Sequence, residues 1–222
     1  MRLNDDLNKF INMYEYFVPT FELIAAILAT IFYKKYEKSS EKYFLHFLWF
    51  TFFIDAILGN FISEFLKINN YWLLNIYMLL SFVFYFNWYR IILKSKRLKL
   101  IITILSLLFV IFALYNFRVK NWEEYHTNTF IFGAFINLIT SIAYFLQLLG
   151  SRDIIHVEYK LSFWIATGLL LFNICMIPFF IFSDLLSSRE FLYQIILVSL
   201  NAILYTCYSV GFIWNKKEYN QY

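Results

Sequence analysis

Two acidic residues stand where acids are costly. Glu22 falls inside the apolar run 16–33, and Asp55 inside the run 43–63. An ionised carboxyl is expensive in hydrocarbon unless it is paired, protonated or hydrated, so such a group marks a place where a proton, a cation or a polar ligand can be held. Two of them can divide acid and base roles when their surroundings set them apart. Helical spacing puts Glu22 on one face with Ala25, Ala26 and Ala29. It also lines up Thr51, Asp55, Gly59 and Ser63 along one stripe. Small residues at that spacing let helices approach closely. Both acids are therefore expected to face protein and not lipid.

Neutral polar residues extend the pattern. Gly133, Asn137, Thr140, Ser141, Tyr144 and Gln147 recur at steps of three and four along one helix face. Gln194, Asn201, Tyr205 and Tyr208 do the same further on, and Asn173 stands mid-run with Pro178 beyond it. The expected pocket set is Glu22, Asp55, Asn137, Asn173, Gln194 and Asn201, lining a cavity open to the outside. The plainer alternative is that these groups only bridge helices, at about 0.6–2 kcal/mol each.

Other chemistries lack their residues. His46, His126 and His156 do not converge, and no HExxH spacing exists. Glu123, Glu124 and His126 have no spacing that fixes a divalent ion. The GxSxG nucleophile motif and a glycine-rich phosphate loop are both absent. No catalytic residue, metal or cofactor is expected. Cys175 and Cys207 sit in apolar runs and read as small hydrophobes. The basic stretch KSKRLK, residues 94–99, suits anionic lipid headgroups better than nucleic acid, because it is a short loop.

The elements that must position these groups follow from composition. Of 222 residues, 61% are hydrophobic and only 15% charged, against roughly 25% charged in a soluble domain. The mean hydropathy is +0.61. A water-soluble core cannot absorb that excess. With 5 Gly and 2 Pro, an outer-membrane barrel with many turns is also a poor fit. A membrane helix needs about 20 mainly apolar residues. Seven runs approach this: 16–33, 43–63, 68–89, 99–117, 127–149, 161–183 and 191–214. The expected fold is all-α, a single polytopic transmembrane bundle over residues 1–222. The opening MRLNDDLNKFINMYE carries Asp5, Asp6 and Glu15, unlike a secretory signal.

Sidedness follows from lysine and arginine in short loops. Lys34, Lys35, Lys38, Lys42, Arg90, Lys94, Lys96, Arg97, Lys99, Arg152, Lys160, Lys216 and Lys217 fall on one side. Arg2, Lys9, Lys67, Arg118, Lys120 and Arg189 fall on the other. The N-terminus is expected outside and the C-terminus in the cytoplasm, in the cell inner membrane. Seven helices so oriented resemble the retinal proteins, whose pigment needs a lysine in the last helix. The run 191–214 has none, which excludes retinal.

The function expected is non-catalytic: a regulatory, sensory or accessory membrane protein acting through a partner protein. A sensor kinase, or the effector of an anti-phage system such as a CRISPR locus, would supply the missing output. One alternative is a small transporter or channel using Glu22 and Asp55. Another is an intramembrane lipid-modifying enzyme with those two carboxyls as acid and base.

Overall fold

The computed structural model describes residues 2–59, 61–62, 67, 69–183 and 190–220. The chain is all-helical, and no strand occurs among the described residues. Among the described residues, seven α-helices follow in order. They are α1 (Arg2–Ile31), α2 (Lys42–Phe52), α3 (Tyr71–Ile92), α4 (Lys96–Val119), α5 (Thr127–Leu149), α6 (Leu161–Ile181) and α7 (Glu190–Trp214). After Phe52, α2 continues as a π-helix over Phe53–Gly59, which carries Asp55.

Several boundaries differ from those expected. Helix α1 begins at Arg2, well before residue 16. The apolar part of its sequence starts only near residue 16, while no Gly or Pro interrupts the polar residues before it. Helix α3 spans 71–92 in place of 68–89. Ser63 and Ile68, which bound two of the expected runs, lie outside the described residues, as does Arg189. Pro178 lies inside α6 without ending it.

Among the described residues, five helical stretches are long and apolar enough to cross a membrane, which points to a membrane protein. They are Lys42–Gly59, Lys96–Val119, Thr127–Leu149, Leu161–Ile181 and Phe191–Trp214. The apolar part of α1 is shorter, and α3 spends its length on Tyr, Trp and Asn.

The helices form a ring. Helix α7 packs between α1 and α6, α6 against α5, and α5 against α3. Helix α2 lies along α1, and its π-helical end meets α3. Two glycines bring α6 and α7 together. A Cβ on Gly168 would meet Cys207 Cβ at 3.0 Å, and one on Gly211 would meet Trp164 Cβ at 2.6 Å. Helix α4 stays outside the ring against α3 and α5. Only 17% of the residues in its most apolar 18-residue stretch are buried, against 33–50% for the other four apolar helices. That matches the helix poorest in polar residues, with Thr103 and Ser106 alone in its middle.

Antiparallel neighbours gather the connections at two ends. At the lysine-rich basic end, Lys35 Nζ donates to Ile213 O (2.9 Å), and Lys216 N donates to Tyr159 O (3.1 Å). Asn220 Oδ1 accepts from Leu161 N at 3.0 Å. Ser95 caps α4 by accepting from Leu98 N, and Gln147 Oε1 accepts from Lys94 N at 2.6 Å, pinning the α3–α4 turn. At the opposite end, Asn75 holds the α4–α5 loop: its amide donates to Glu124 O and accepts from His126 N, both at 2.9 Å.

Candidate functional site: a cavity inside the helix ring

A cavity of about 810 Å³ lies within the ring. Asn70, Tyr71, Thr127, Ser183 and Tyr193 line it, all near the helix ends opposite the basic end. It reaches inward to Ser81, Tyr85, Asn137, Leu169 and Tyr205. At 1.5 Å per helical residue, Thr127 to Asn137 is about 15 Å, or half the hydrocarbon thickness.

Five of the six residues expected in a pocket line this one space: Glu22, Asp55, Asn137, Asn173 and Asn201. Gln194 does not. It is buried, but the α7 residues facing the cavity are Tyr193, Leu197, Asn201, Leu204 and Tyr205. Gln194 stands seven residues before Asn201 and eleven before Tyr205, so a 3.6-residue helix keeps it within about 20° of their face, and the helical period alone does not set it apart from the lining residues.

Each helix contributes through its own period. On α1, the alanines read as sharing Glu22's face are all fully buried, and Glu22 itself is 3% exposed. Its Oε1 accepts a hydrogen bond from Tyr205 on α7 at 2.9 Å. Its Oε2 has no partner in the protein. Asp55 is half-buried and lines the same cavity. Asn137 is fully buried, yet neither its Oδ1 nor its Nδ2 is bonded. Asn173 donates to Leu169 O at 2.6 Å, which leaves its Oδ1 free. Ser81 Oγ is also without a partner. Asn201 is tied to its own helix, donating to Leu197 O at 2.9 Å.

Buried polar atoms are nearly always bonded, so several unbonded ones around one space are unusual. Counting back from the basic ends of their helices, Glu22, Ser81, Asn137 and Asn173 lie at similar depths of about 14–18 Å. They form one polar layer. Aromatic rings make up much of the remaining wall, among them Tyr77, Phe82, Tyr85, Phe130 and Tyr205.

Below this layer the ring is filled. Phe44 of α2 is fully buried, with its ring 4.9 Å from Phe84, 5.1 Å from Trp88 and 6.0 Å from Tyr208. Phe47 stacks on Phe84 at 4.3 Å. These side chains close the seam between α2 and α3 and plug the half of the bundle nearer the basic end. Among the described residues, no group of three His, Cys, Asp or Glu side chains is placed to hold a metal ion.

A second buried acid lies at the basic end, beyond the apolar stretches. Glu41 precedes α2 and is fully buried, with both carboxyl oxygens unbonded. Burial pushes its carboxyl above the ordinary glutamate value, and Ser39, Ser40 and Trp88 around it pull it back only in part. In the sequence it sits in the polar stretch KKYEKSSEKY and resembles a solvated loop residue. The wall aromatics also escaped notice, because a Phe or Tyr in an apolar run carries no sign of which way it points.

No family model, no curated protein and no solved structure matches this chain. Fold and site together define an all-helical membrane-type bundle with an internal cavity that reaches one end.

Proposed function

We propose that this chain crosses the bilayer seven times and binds a small molecule in its cavity from the outer side. The five apolar stretches account for most of the crossings. Helices α1 and α3 are packed inside the same ring, α1 along α7 and α3 beside α5, so they run through the same thickness. The thirteen basic residues at one end favour a cytoplasmic position for it, which turns the cavity outward.

The observation that carries this reading is the layer of unbonded polar atoms on Glu22, Ser81, Asn137 and Asn173 above an aromatic plug. Helix-bridging groups would be bonded to one another, whereas groups that serve a ligand are left unpaired by the protein. A bound ligand would be reported by helix movement to a partner protein. That is a sensory or regulatory role.

Thiol labelling tests it. In a Cys175→Ser, Cys207→Ser background, Asn201→Cys is expected to react with a membrane-impermeant maleimide applied outside intact cells. Tyr89→Cys, below the plug, is expected to stay unlabelled. Labelling of Asn201→Cys only from the cytoplasmic side, or from neither, overturns the reading.

A second reading is a transporter open to one side. What favours it is the nature of the barrier: a few side chains, Phe44, Tyr85, Trp88 and Tyr208, and no continuous backbone contact between α2 and α3. Uptake by proteoliposomes that is abolished by Glu22→Gln distinguishes it from a receptor, which binds without flux.

A further inference from the structure

Resting on the outward cavity just proposed, we infer that its ligand is an organic cation, with an ammonium group seated between Glu22 and Asp55 and an apolar body against the aromatic wall. Three observations argue for this class. First, the two carboxyls share the space, and no lysine, arginine or histidine lines it among the described residues. A cation would be the complement of both. Second, the free acceptors, Glu22 Oε2, Asn137 Oδ1 and Asn173 Oδ1, lie in the polar layer that an N–H donor would reach. Third, Tyr77, Tyr85 and Tyr205 flank Glu22 on the wall, and the faces of aromatic rings attract ammonium groups, most strongly where water is excluded.

The size and lining argue against an inorganic ion. A sodium or potassium ion needs a tight cage of oxygens, whereas about 810 Å³ is within the range of cavities that hold drug-sized molecules. An anionic ligand would meet two carboxyls with no fixed positive charge to offset them. A purely apolar ligand would leave the layer of polar atoms unpaired, which costs free energy for each one.

The experiment uses the full chain in lipid nanodiscs and three probes of similar shape: phenylpropylamine, phenylpropanol and phenylpropionate. Binding is measured by calorimetry, with Glu22→Gln and Asp55→Asn as near-isosteric variants whose folding is checked by gel filtration and melting temperature. The amine is expected to bind at least about tenfold more tightly than the alcohol, a difference of the size a single charge contact supplies, and more tightly than the acid. Either variant is expected to lose that preference. If the alcohol or the acid binds as well as the amine, and Asn137→Leu abolishes that binding, the cavity binds ligands but the cation assignment is wrong. If the amine binds equally to wild type and both variants, the assignment is likewise wrong. If none of the three binds while Asn201→Cys labels from outside, the assignment falls and the topology stands. If that labelling fails too, both fall.

Discussion

Tyr205 and Asn137 face the same cavity but stand in opposite bonding states, and their variants should diverge. Among the described residues, Tyr205 supplies the one hydrogen bond to the Glu22 carboxyl. Tyr205→Phe removes it and leaves a buried carboxyl without any partner, at a cost of about 1–3 kcal/mol. A lower melting temperature is expected. Asn137 has no bond to lose. Asn137→Leu replaces an unsatisfied amide by a hydrocarbon of similar size, which is expected to raise the ligand-free melting temperature while abolishing binding. Stability traded for function at a binding site is a general pattern. A destabilising Asn137→Leu would show that its amide is satisfied and that it does not serve a ligand. Glu41 offers a pH test at the same scale. Its carboxyl is held above its ordinary value by burial, so the neutral form is the one the fold prefers. Its contribution is complete below the unfolded value and is lost as pH rises through the folded one. Wild type should therefore lose stability over that limb, and Glu41→Gln should not. The two are expected to melt alike in acid, with the variant higher at neutral pH.

Between helices, what matters is how closely backbones approach, and here the glycines divide. At Gly211 a Cβ would come within 2.6 Å of Trp164 Cβ, far inside contact distance, and the whole of α7 would have to move. Gly211→Ala is expected to destabilise by about 1–3 kcal/mol, as overpacked cores do. At Gly150, beyond the end of α5, the nearest atoms are carbonyl oxygens at 3.7 Å. Gly150→Ala should be close to neutral. Melting temperatures in one detergent compare the two, and equal losses would contradict the close crossing of α6 and α7. This contrast also marks what could be read from the sequence. The 3.6-residue period identified the polar faces, so Glu22, Asn137, Asn173 and Asn201 were recognisable as inward-facing and do share a cavity. The period is blind to how one helix is rotated against the next. The bond from Tyr205 to Glu22 joins residues 183 apart, and no local pattern encodes it. Gln194 shares the face of Asn201 and Tyr205 by period yet does not line the cavity, and the polar start of α1 was missed because hydropathy reports burial in lipid and not helicity.

For the molecule as a whole, the question is whether access from one side depends on the plug. The half of the ring away from the basic end holds the cavity, whereas the half nearer that end is packed with rings that touch across α2, α3 and α7. Phe44 is the residue common to those contacts. Truncating it removes a fully buried ring, at a cost of about 3–5 kcal/mol if the fold tolerates it. It also opens a path between the cavity and the basic end. In the cysteine-free background, Asn201→Cys alone should be labelled by the impermeant reagent in right-side-out vesicles and not in inverted ones. Added Phe44→Ala should make it reactive from both sides. Leu107→Ala on α4 is the control, since that side chain is exposed on the helix outside the ring and its loss should change neither access nor folding. Labelling that remains one-sided in a folded Phe44→Ala protein would mean that the barrier lies in the helix backbones. The bundle would then be a receptor with a fixed floor, and the transporting alternative would lose its physical basis.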